Sequence, residues 1–248
     1  MEPKFKIPTE TVELPSKGLL YPEDSPLAKG TIEMKYMTAK EEDILTNQNF
    51  IRNGSVIDKL LKSLIVTEGV DFNKILVGDK NAIMIAARIL SYGKIYKVEI
   101  DEEIVDIDLS KLENDEIKAS NYKRGENNFK FKLPETGNEV TFKLLTHGDE
   151  RAIDRELQGL KKINKNNSSE VTTRMKHIIT SVNGMNSQKD IRDFVDNYFL
   201  AADSRALRKE YTAKQPDVNF KINHTFSDGR EEEISVPMGL GFFWPDDQ

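Results

Sequence analysis

The sequence predicts an α+β fold in which two diverged copies of a strand–helices–β-hairpin unit pack pseudo-symmetrically behind an extended N-terminal arm. Three observations predict it. Five of the nine prolines fall within residues 1–30. A strand that runs into a threonine helix cap recurs 108 residues later, and apolar helices and a hairpin follow it both times in the same order. We expect a Pro-rich arm (1–30), a first α+β repeat (31–110), a linker (111–128) and a second repeat with an aromatic C-terminal tail (129–248).

The arm is expected to be extended, because proline fixes φ and removes a backbone donor. It is not simply polar, since Leu14, Leu19, Leu20 and Tyr21 are available for packing. Two interpretations stay open: a loop that lies on the surface of its own domain, or an arm that docks on a partner. We expect a mixture of both and take these four residues as candidates for partner binding.

The first repeat begins with alternating residues 31–37, which predict a strand. Thr38 follows as a helix N-cap, with Glu41 at the capping-box spacing, so a helix is predicted over 39–46. A second helix is predicted from Val56. Asp79 is the predicted cap of a third, apolar helix that Gly93 ends, and strands are predicted over 96–100 and 104–109.

The second repeat begins with a predicted hairpin whose strands cover 129–133 and 140–144. Thr146 and Asp149 repeat the Thr38 and Glu41 pair at an offset of 108 (146 − 38). Residues 178–182 resemble the apolar helix at 60–64 (178 − 60 = 118), and Asp203 resembles the cap Asp79 (203 − 79 = 124). A closing hairpin is predicted around residues 220–222 and 234–236.

Composition limits the function classes. The net charge of −6 and the pI of about 5.3 disfavour generic nucleic-acid binding. The chain has no cysteine, which excludes disulfides, thiolate metal sites and cysteine nucleophiles. No stretch is apolar over 18 residues, so no membrane span is predicted, and residues 1–10 lack the apolar core of a secretory signal. We expect synthesis in the cytoplasm.

No catalytic, metal or cofactor site is predicted. The three histidines, His147, His177 and His224, are far apart in sequence, and none has a second histidine at metal-ligand spacing. The carboxylate runs at 41–43, 101–103 and 231–233 are expected at a helix start and in hairpins, where solvent or the helix dipole favours them. A hydrolase built on these carboxylates, for instance on Glu41 and Glu42, is the remote enzymatic alternative.

The end of the chain holds the most unusual local feature, an aromatic cluster of Phe242, Phe243 and the only tryptophan, Trp244. Leaving so much aromatic surface in water is costly. The tail therefore either folds back into a core, which we favour slightly, or enters a partner, as the enrichment of aromatic residues at interface hot spots indicates.

Three blocks of this sequence resemble the baseplate hub family of T4-like contractile-tailed bacteriophages. They are Glu13-Leu14-Pro15-Ser16-Lys17-Gly18-Leu19-Leu20-Tyr21-Pro22, Met37-Thr38-Ala39-Lys40-Glu41-Glu42-Asp43-Ile44-Leu45-Thr46 and Phe242-Phe243-Trp244-Pro245. The first two are fairly specific and the tail alone would not be. Some members of the family carry cysteine pairs in the hairpins, and this chain has none.

The resemblance implies a non-enzymatic hub subunit or hub-assembly factor that acts through protein–protein contacts, with other phage tail and hub proteins as partners. A transient tail-assembly chaperone that is absent from the mature virion is the alternative. The implied location is the host cytoplasm during assembly, and the tail baseplate if the protein stays in the virion. The sequence leaves oligomerisation open.

Overall fold

The protein is described by a computed structural model that covers residues 6–163, 169–238 and 240–244. Its described part is mixed α+β, with small antiparallel sheets and eight α-helices, which confirms the α+β character of the predicted fold. Apolar residues of both halves form one hydrophobic cluster. None of the helices in the described ranges has the length and apolar character that a membrane span would need.

The helices are α1 (Ala39–Leu45), α2 (Gln48–Arg52), α3 (Val56–Leu64), α4 (Val77–Tyr92), α5 (His147–Ile163), α6 (Glu170–Ile178), α7 (Gln188–Asn197) and α8 (Ala201–Lys214). The strands are β1 (Thr9–Glu13), β2 (Thr31–Lys35), β3 (Ile95–Ile100), β4 (Glu103–Asp108), β5 (Phe129–Lys132), β6 (Glu139–Phe142), β7 (Ile179–Val182), β8 (Lys221–Thr225) and β9 (Glu231–Ser235). Strands β5, β6 and β7 form one sheet, and β1–β2, β3–β4 and β8–β9 form pairs.

The N-terminal segment is part of the first half rather than a separate arm. Strand β1 pairs antiparallel with β2, from Thr9 opposite Lys35 to Glu13 opposite Thr31. The predicted boundary at residue 30 therefore lies between two paired strands. Sequence reasoning missed this pairing because prolines on both sides of β1 hide its strand pattern.

Two predicted helical assignments need correction. Asp79 and Asp203 are not N-caps, because Leu76 and Leu200 hold the N-cap positions and each aspartate is the third residue of its helix. Residues 179–182 do not continue a helix, because α6 ends at Ile178 and the chain continues as β7, which pairs with β6. β-Branched residues favour this extended conformation.

The other predicted elements lie close to their expected positions, and β1, α2, α7 and β7 were not predicted. The segment predicted as a linker has no long element, but Gly125 donates a backbone hydrogen bond to Leu19, and Asp115 donates one to Asp217. The segment is thus bonded to both ends of the fold. The pseudo-symmetric duplication stays a prediction.

Candidate interaction surface

The carboxylate of Asp79 is fully buried and holds the N-terminal segment against α4. It accepts hydrogen bonds from the backbone N–H of Ser16 (2.9 Å), the Ser16 hydroxyl (2.7 Å) and the Tyr21 hydroxyl (2.6 Å). Burial raises the pKa of Asp79 above its ordinary value, although the hydrogen bonds from Tyr21 and Ser16 oppose that shift. The Tyr21 hydroxyl also accepts a hydrogen bond from the backbone N–H of Leu76, so this tyrosine binds two residues at the start of α4.

Asp203 is also fully buried, and it holds the turn at residues 133–137 against α8 in the second half. Its carboxylate accepts the N–H groups of Glu135 (2.8 Å) and Thr136 (3.2 Å) and the Thr136 hydroxyl (2.8 Å). The bound turns share the pattern Leu-Pro-x-x-Gly at 14–18 and 133–137. The sequence analysis did not predict that each aspartate binds a Leu-Pro-x-x-Gly turn. The recurrence of Leu-Pro-x-x-Gly at an offset of 119 (133 − 14) was the signal that could have predicted it.

Thr38 and Thr146 stand immediately before α1 and α5 and are held by matching networks. The Glu41 carboxylate accepts a hydrogen bond from the Thr38 N–H (3.0 Å) and forms a salt bridge with Lys35 (2.8 Å). Asp149 accepts the Thr146 N–H (3.0 Å) and a salt bridge from Lys143 (2.7 Å). Burial alone would raise the pKa of each carboxyl, but the hydrogen bonds and the lysine charge outweigh it and lower both pKa values. These bonds give Glu41 a structural role at the site considered for a hydrolase.

The predicted partner-binding residues of the N-terminal segment are mostly inside the fold. Leu14, Leu20 and Tyr21 are buried, and Leu19 is half-buried. Leu14, Leu20 and Tyr21 are therefore available to a partner only if this segment moves away from α4, whereas Leu19 is already partly exposed. Their role in partner binding stays a prediction.

The aromatic tail folds back onto the hairpin formed by β3 and β4. Phe242 and Phe243 are fully buried, and Trp244 is partly buried against the core. The rings of Phe242 and Tyr96 meet edge to face with centroids 5.0 Å apart. Within the described residues the structure thus places the tail as expected for the fold-back interpretation. Pro245 and the residues after it lie outside the described ranges, and partner binding by the tail stays a prediction.

A polar cluster joins the two halves. His147 at the start of α5 lies within hydrogen-bond distance of the Asp58 carboxylate through Nε2 (2.9 Å) and of Lys80 through Nδ1 (3.0 Å). Since lysine can only donate, Nδ1 accepts and Nε2–H donates to Asp58, which defines the tautomer. His147 is buried and packs edge to face on Phe72 (4.7 Å). Both ring nitrogens are thus engaged in holding α3, α4 and α5 together.

Backbone hydrogen bonds cross the same junction. Val77 donates to the carbonyl of Leu145 (3.1 Å), and His147 donates to that of Ile75 (2.8 Å). These two bonds flank an isolated antiparallel bridge between Leu76 and Thr146. We call residues 75–77 the helix edge of the first half and residues 145–147 the cap edge of the second half.

An open groove of about 260 Å³ lies between α6, α7 and α8. It is lined by Val171, Thr172, Met175, Val195, Phe199, Ala201, Ser204 and Arg208. Three large apolar side chains at or beside it face solvent: Val171 (47% exposed), Tyr198 (61%) and Leu200 (50%). This apolar groove surface was not predicted from the sequence, because exposure here depends on what the tertiary structure leaves uncovered.

Arg208 adds a positive charge to this surface. Its Nε donates only a long hydrogen bond to the Ser204 carbonyl (3.4 Å), and within the described ranges no carboxylate pairs with it. No group of three or more potential metal-ligating His, Asp or Glu side chains occurs in the part of the chain that the structure describes. The groove thus combines exposed apolar side chains with one positive charge.

The family model of the T4 bacteriophage base plate protein matches residues 7–244. No curated protein and no solved structure gives a significant match. Because the match covers nearly the whole chain, both halves and the N-terminal segment lie within it. The chain belongs to the T4 bacteriophage base plate protein family.

Proposed function

We propose that this chain is a non-enzymatic hub subunit or hub-assembly factor of the phage baseplate and acts through contacts with other tail proteins. Family membership supports a structural role in the baseplate. The observation that carries the finer proposal is the apolar groove surface at α6–α8. Three exposed side chains at or beside the groove, Val171, Tyr198 and Leu200, remain available to a partner.

The polar groups of the chain support the same proposal. The buried aspartates hold turns, the carboxylates at 41 and 149 hold helix starts, and His147 holds the junction between the halves. Each of these groups has a structural partner. We also propose that the two halves are diverged copies of one unit, since they share the capping networks and the aspartate-bound Leu-Pro-x-x-Gly turns.

Complementation of a phage that lacks this gene tests the function. The variant Val171→Asp places a charge in the groove, at a side chain that is 47% exposed, so the protein should fold normally and fail to support tail assembly. Ile104→Asp is the matched control, because Ile104 is 65% exposed on β4, outside the groove. The measurements are the count of infectious particles and electron microscopy of the tails formed.

Mass spectrometry of purified virions then separates the two kinds of assembly role. A hub subunit is present in the finished particle, whereas a transient tail-assembly chaperone is absent from it. Normal tails and normal infectivity from a phage without the gene would contradict both roles. Equal activity of Val171→Asp and wild type would remove the groove as the contact surface.

A further inference from the structure

The junction between the halves uses one edge of each half, and each edge has a counterpart that stays open. If the two halves are copies, the helix edge 75–77 corresponds to residues 199–201 (offset 124) and the cap edge 145–147 corresponds to residues 37–39 (offset 108). In the observed junction, 75–77 pairs with 145–147. In the described part of the chain, no hydrogen bond or bridge joins 199–201 to 37–39.

The backbone supports this correspondence. Leu76 has φ −61° and ψ 148°, and Leu200 has φ −62° and ψ 146°, and each is the N-cap of a helix whose third residue is a buried aspartate. Thr38 and Thr146 each precede a helix and are held by a carboxylate that a lysine also binds. The two helix edges thus share their backbone angles, and the two cap edges share their hydrogen bonds and salt bridges.

The difference in exposure shows what the open helix edge lacks. Leu76 is 4% exposed because the cap edge of the second half and Tyr21 cover it, whereas Leu200 is 50% exposed. Near the open cap edge, Tyr36 and Met37 are half-buried where the second half has the fully buried Leu144 and Leu145. In the described residues the N–H groups of Ala39 and Ala201 have no acceptor.

We propose that a second copy of this chain fills the open edge: residues 199–201 of one molecule pair antiparallel with residues 37–39 of the next, as 75–77 and 145–147 pair within the molecule. This proposal rests on the proposed function and its duplication, and it names one partner of the groove surface. The contact is heterologous, because it joins different surfaces of the two copies, and it leaves one edge of each kind open at the ends of the assembly.

The contact is expected to be weaker than the internal junction. At the junction, Gly148 allows the backbone carbonyl of Asn73 to approach so closely that a β-carbon would lie 2.9 Å from it. The corresponding residues in the new contact are Lys40 and Asn197. Lys40 carries a β-carbon, so the backbone of Asn197 cannot come so close and the strands must pair slightly further apart. We therefore expect a weak contact that forms only at high protein concentration.

Cysteine cross-linking provides a direct test, since the chain has no cysteine of its own. The bridge between Leu76 and Thr146 is a non-hydrogen-bonded pair, and such pairs have Cα atoms about 4.5 Å apart, within the range that a disulfide spans. Its counterpart is Leu200 of one molecule and Thr38 of the next. Mixing the Leu200→Cys and Thr38→Cys proteins under mild oxidation should therefore give a cross-linked heterodimer.

The matched control mixes Ile104→Cys with Thr38→Cys, because Ile104 is at least as exposed as Leu200 but lies outside the proposed contact. Non-reducing gels measure the yield, and mass spectrometry identifies the joined peptides. The proposal expects a yield several-fold above the control. A yield equal to the control overturns it. Circular dichroism of each variant shows that the proteins compared are folded.

Sedimentation velocity of the wild type and of Leu200→Asp gives a second readout that does not involve Thr38. The wild type should shift to larger species as its concentration rises, and the exposed charge in the variant should abolish that shift. A wild type that stays monomeric at every concentration overturns the proposal. If such a monomeric chain still restores tail assembly in the phage, the self-association fails and the proposed baseplate function stands.

Discussion

The hydroxyl of Tyr21 donates a 2.6 Å hydrogen bond to the carboxylate of Asp79, across 58 residues of sequence. The same oxygen accepts the backbone N–H of Leu76 at 2.9 Å. One side chain from the proline-rich segment thus satisfies two buried polar groups at the start of α4. This relationship makes the segment part of the fold, and it helps to bury Leu76.

Tyr21→Phe should lower the free energy of unfolding by about 1–3 kcal/mol, since it leaves a buried acceptor and a buried donor without their partner. Urea unfolding measures the loss. Tyr198→Phe is the control, because Tyr198 is 61% exposed and its change should have almost no effect. Equal stability of the two variants would show that the bonds to Asp79 and Leu76 contribute nothing.

Gly78→Ala should destabilise the protein strongly, because the carbonyl of Pro216 occupies the space that a β-carbon at residue 78 would need. The obstacle is backbone and cannot rotate away. Gly159→Ala is the matched control in α5, where a β-carbon meets no atom within 4 Å; it should stabilise the helix by up to about 1 kcal/mol. Thermal unfolding should therefore shift in opposite directions for the two variants.

Thr38→Ala and Thr146→Ala should each cost about 1 kcal/mol, the usual loss for an N-cap threonine. Both variants remove a hydroxyl that donates to the carboxylate three residues later (2.6 Å from Thr38 and 2.9 Å from Thr146). The two losses, measured by chemical unfolding, should be similar if the sites are equivalent. A loss at one site alone would argue against the equivalence of the two caps.

Asp58 gives the junction between the halves a pH dependence. Burial favours the neutral acid, but the hydrogen bond from His147 and the charge of Lys80 outweigh it and lower the pKa of Asp58. A lowered folded-state pKa stabilises the fold above the unfolded value of about 3.9. This contribution is lost as the pH falls through the lower folded value. The advantage of wild type over Asp58→Asn should therefore be largest near neutral pH and shrink in acid.

Asp79→Asn should show the opposite trend, because burial raises the pKa of Asp79 in the folded state. Its contribution to stability is fully present below the unfolded pKa and decreases as the pH rises through the folded value. The free energies of unfolding of wild type, Asp58→Asn and Asp79→Asn, measured from acid to neutral pH, give the pH dependence of each aspartate's contribution to stability. A difference from wild type that is independent of pH for Asp58→Asn would contradict the assigned contacts of Asp58 with His147 and Lys80.

Deletion of residues 242–248 should destabilise the fold, because it removes two fully buried phenylalanines. The single change Phe242→Ala should cost about 3–5 kcal/mol, as for other buried aromatic residues. Thermal unfolding and the tail-assembly assay are measured together. Normal stability combined with normal assembly would contradict both the fold-back and the partner-binding interpretation of the tail.

Local signals predicted many elements because they depend on residues that are close in sequence. Alternating side chains predicted β2, the capping-box spacing placed Thr38 before α1, and the apolar stripe placed α3 and α4. The mixed α+β class and the baseplate family followed from the same residues. These patterns need no knowledge of what lies across the fold.

Local sequence patterns did not predict which distant segments contact one another. The pairing of β1 with β2, the departure of the chain from α6 into β7, and the binding of distant turns by Asp79 and Asp203 all join segments that are far apart in sequence. An aspartate near a helix start looks like a cap until its partner is known. Local propensity alone cannot identify that partner.

The sequence by itself determined most of the helices and strands, the N-cap Thr38 of α1 and the family. Only the tertiary structure decided which surfaces are covered. Leu76 and Leu200 begin similar helices with nearly the same backbone angles, and yet one is buried and the other half-exposed. The physical reason is that burial depends on neighbours from distant segments: Tyr21 and Thr146 cover Leu76, whereas within the described chain Leu200 stays open.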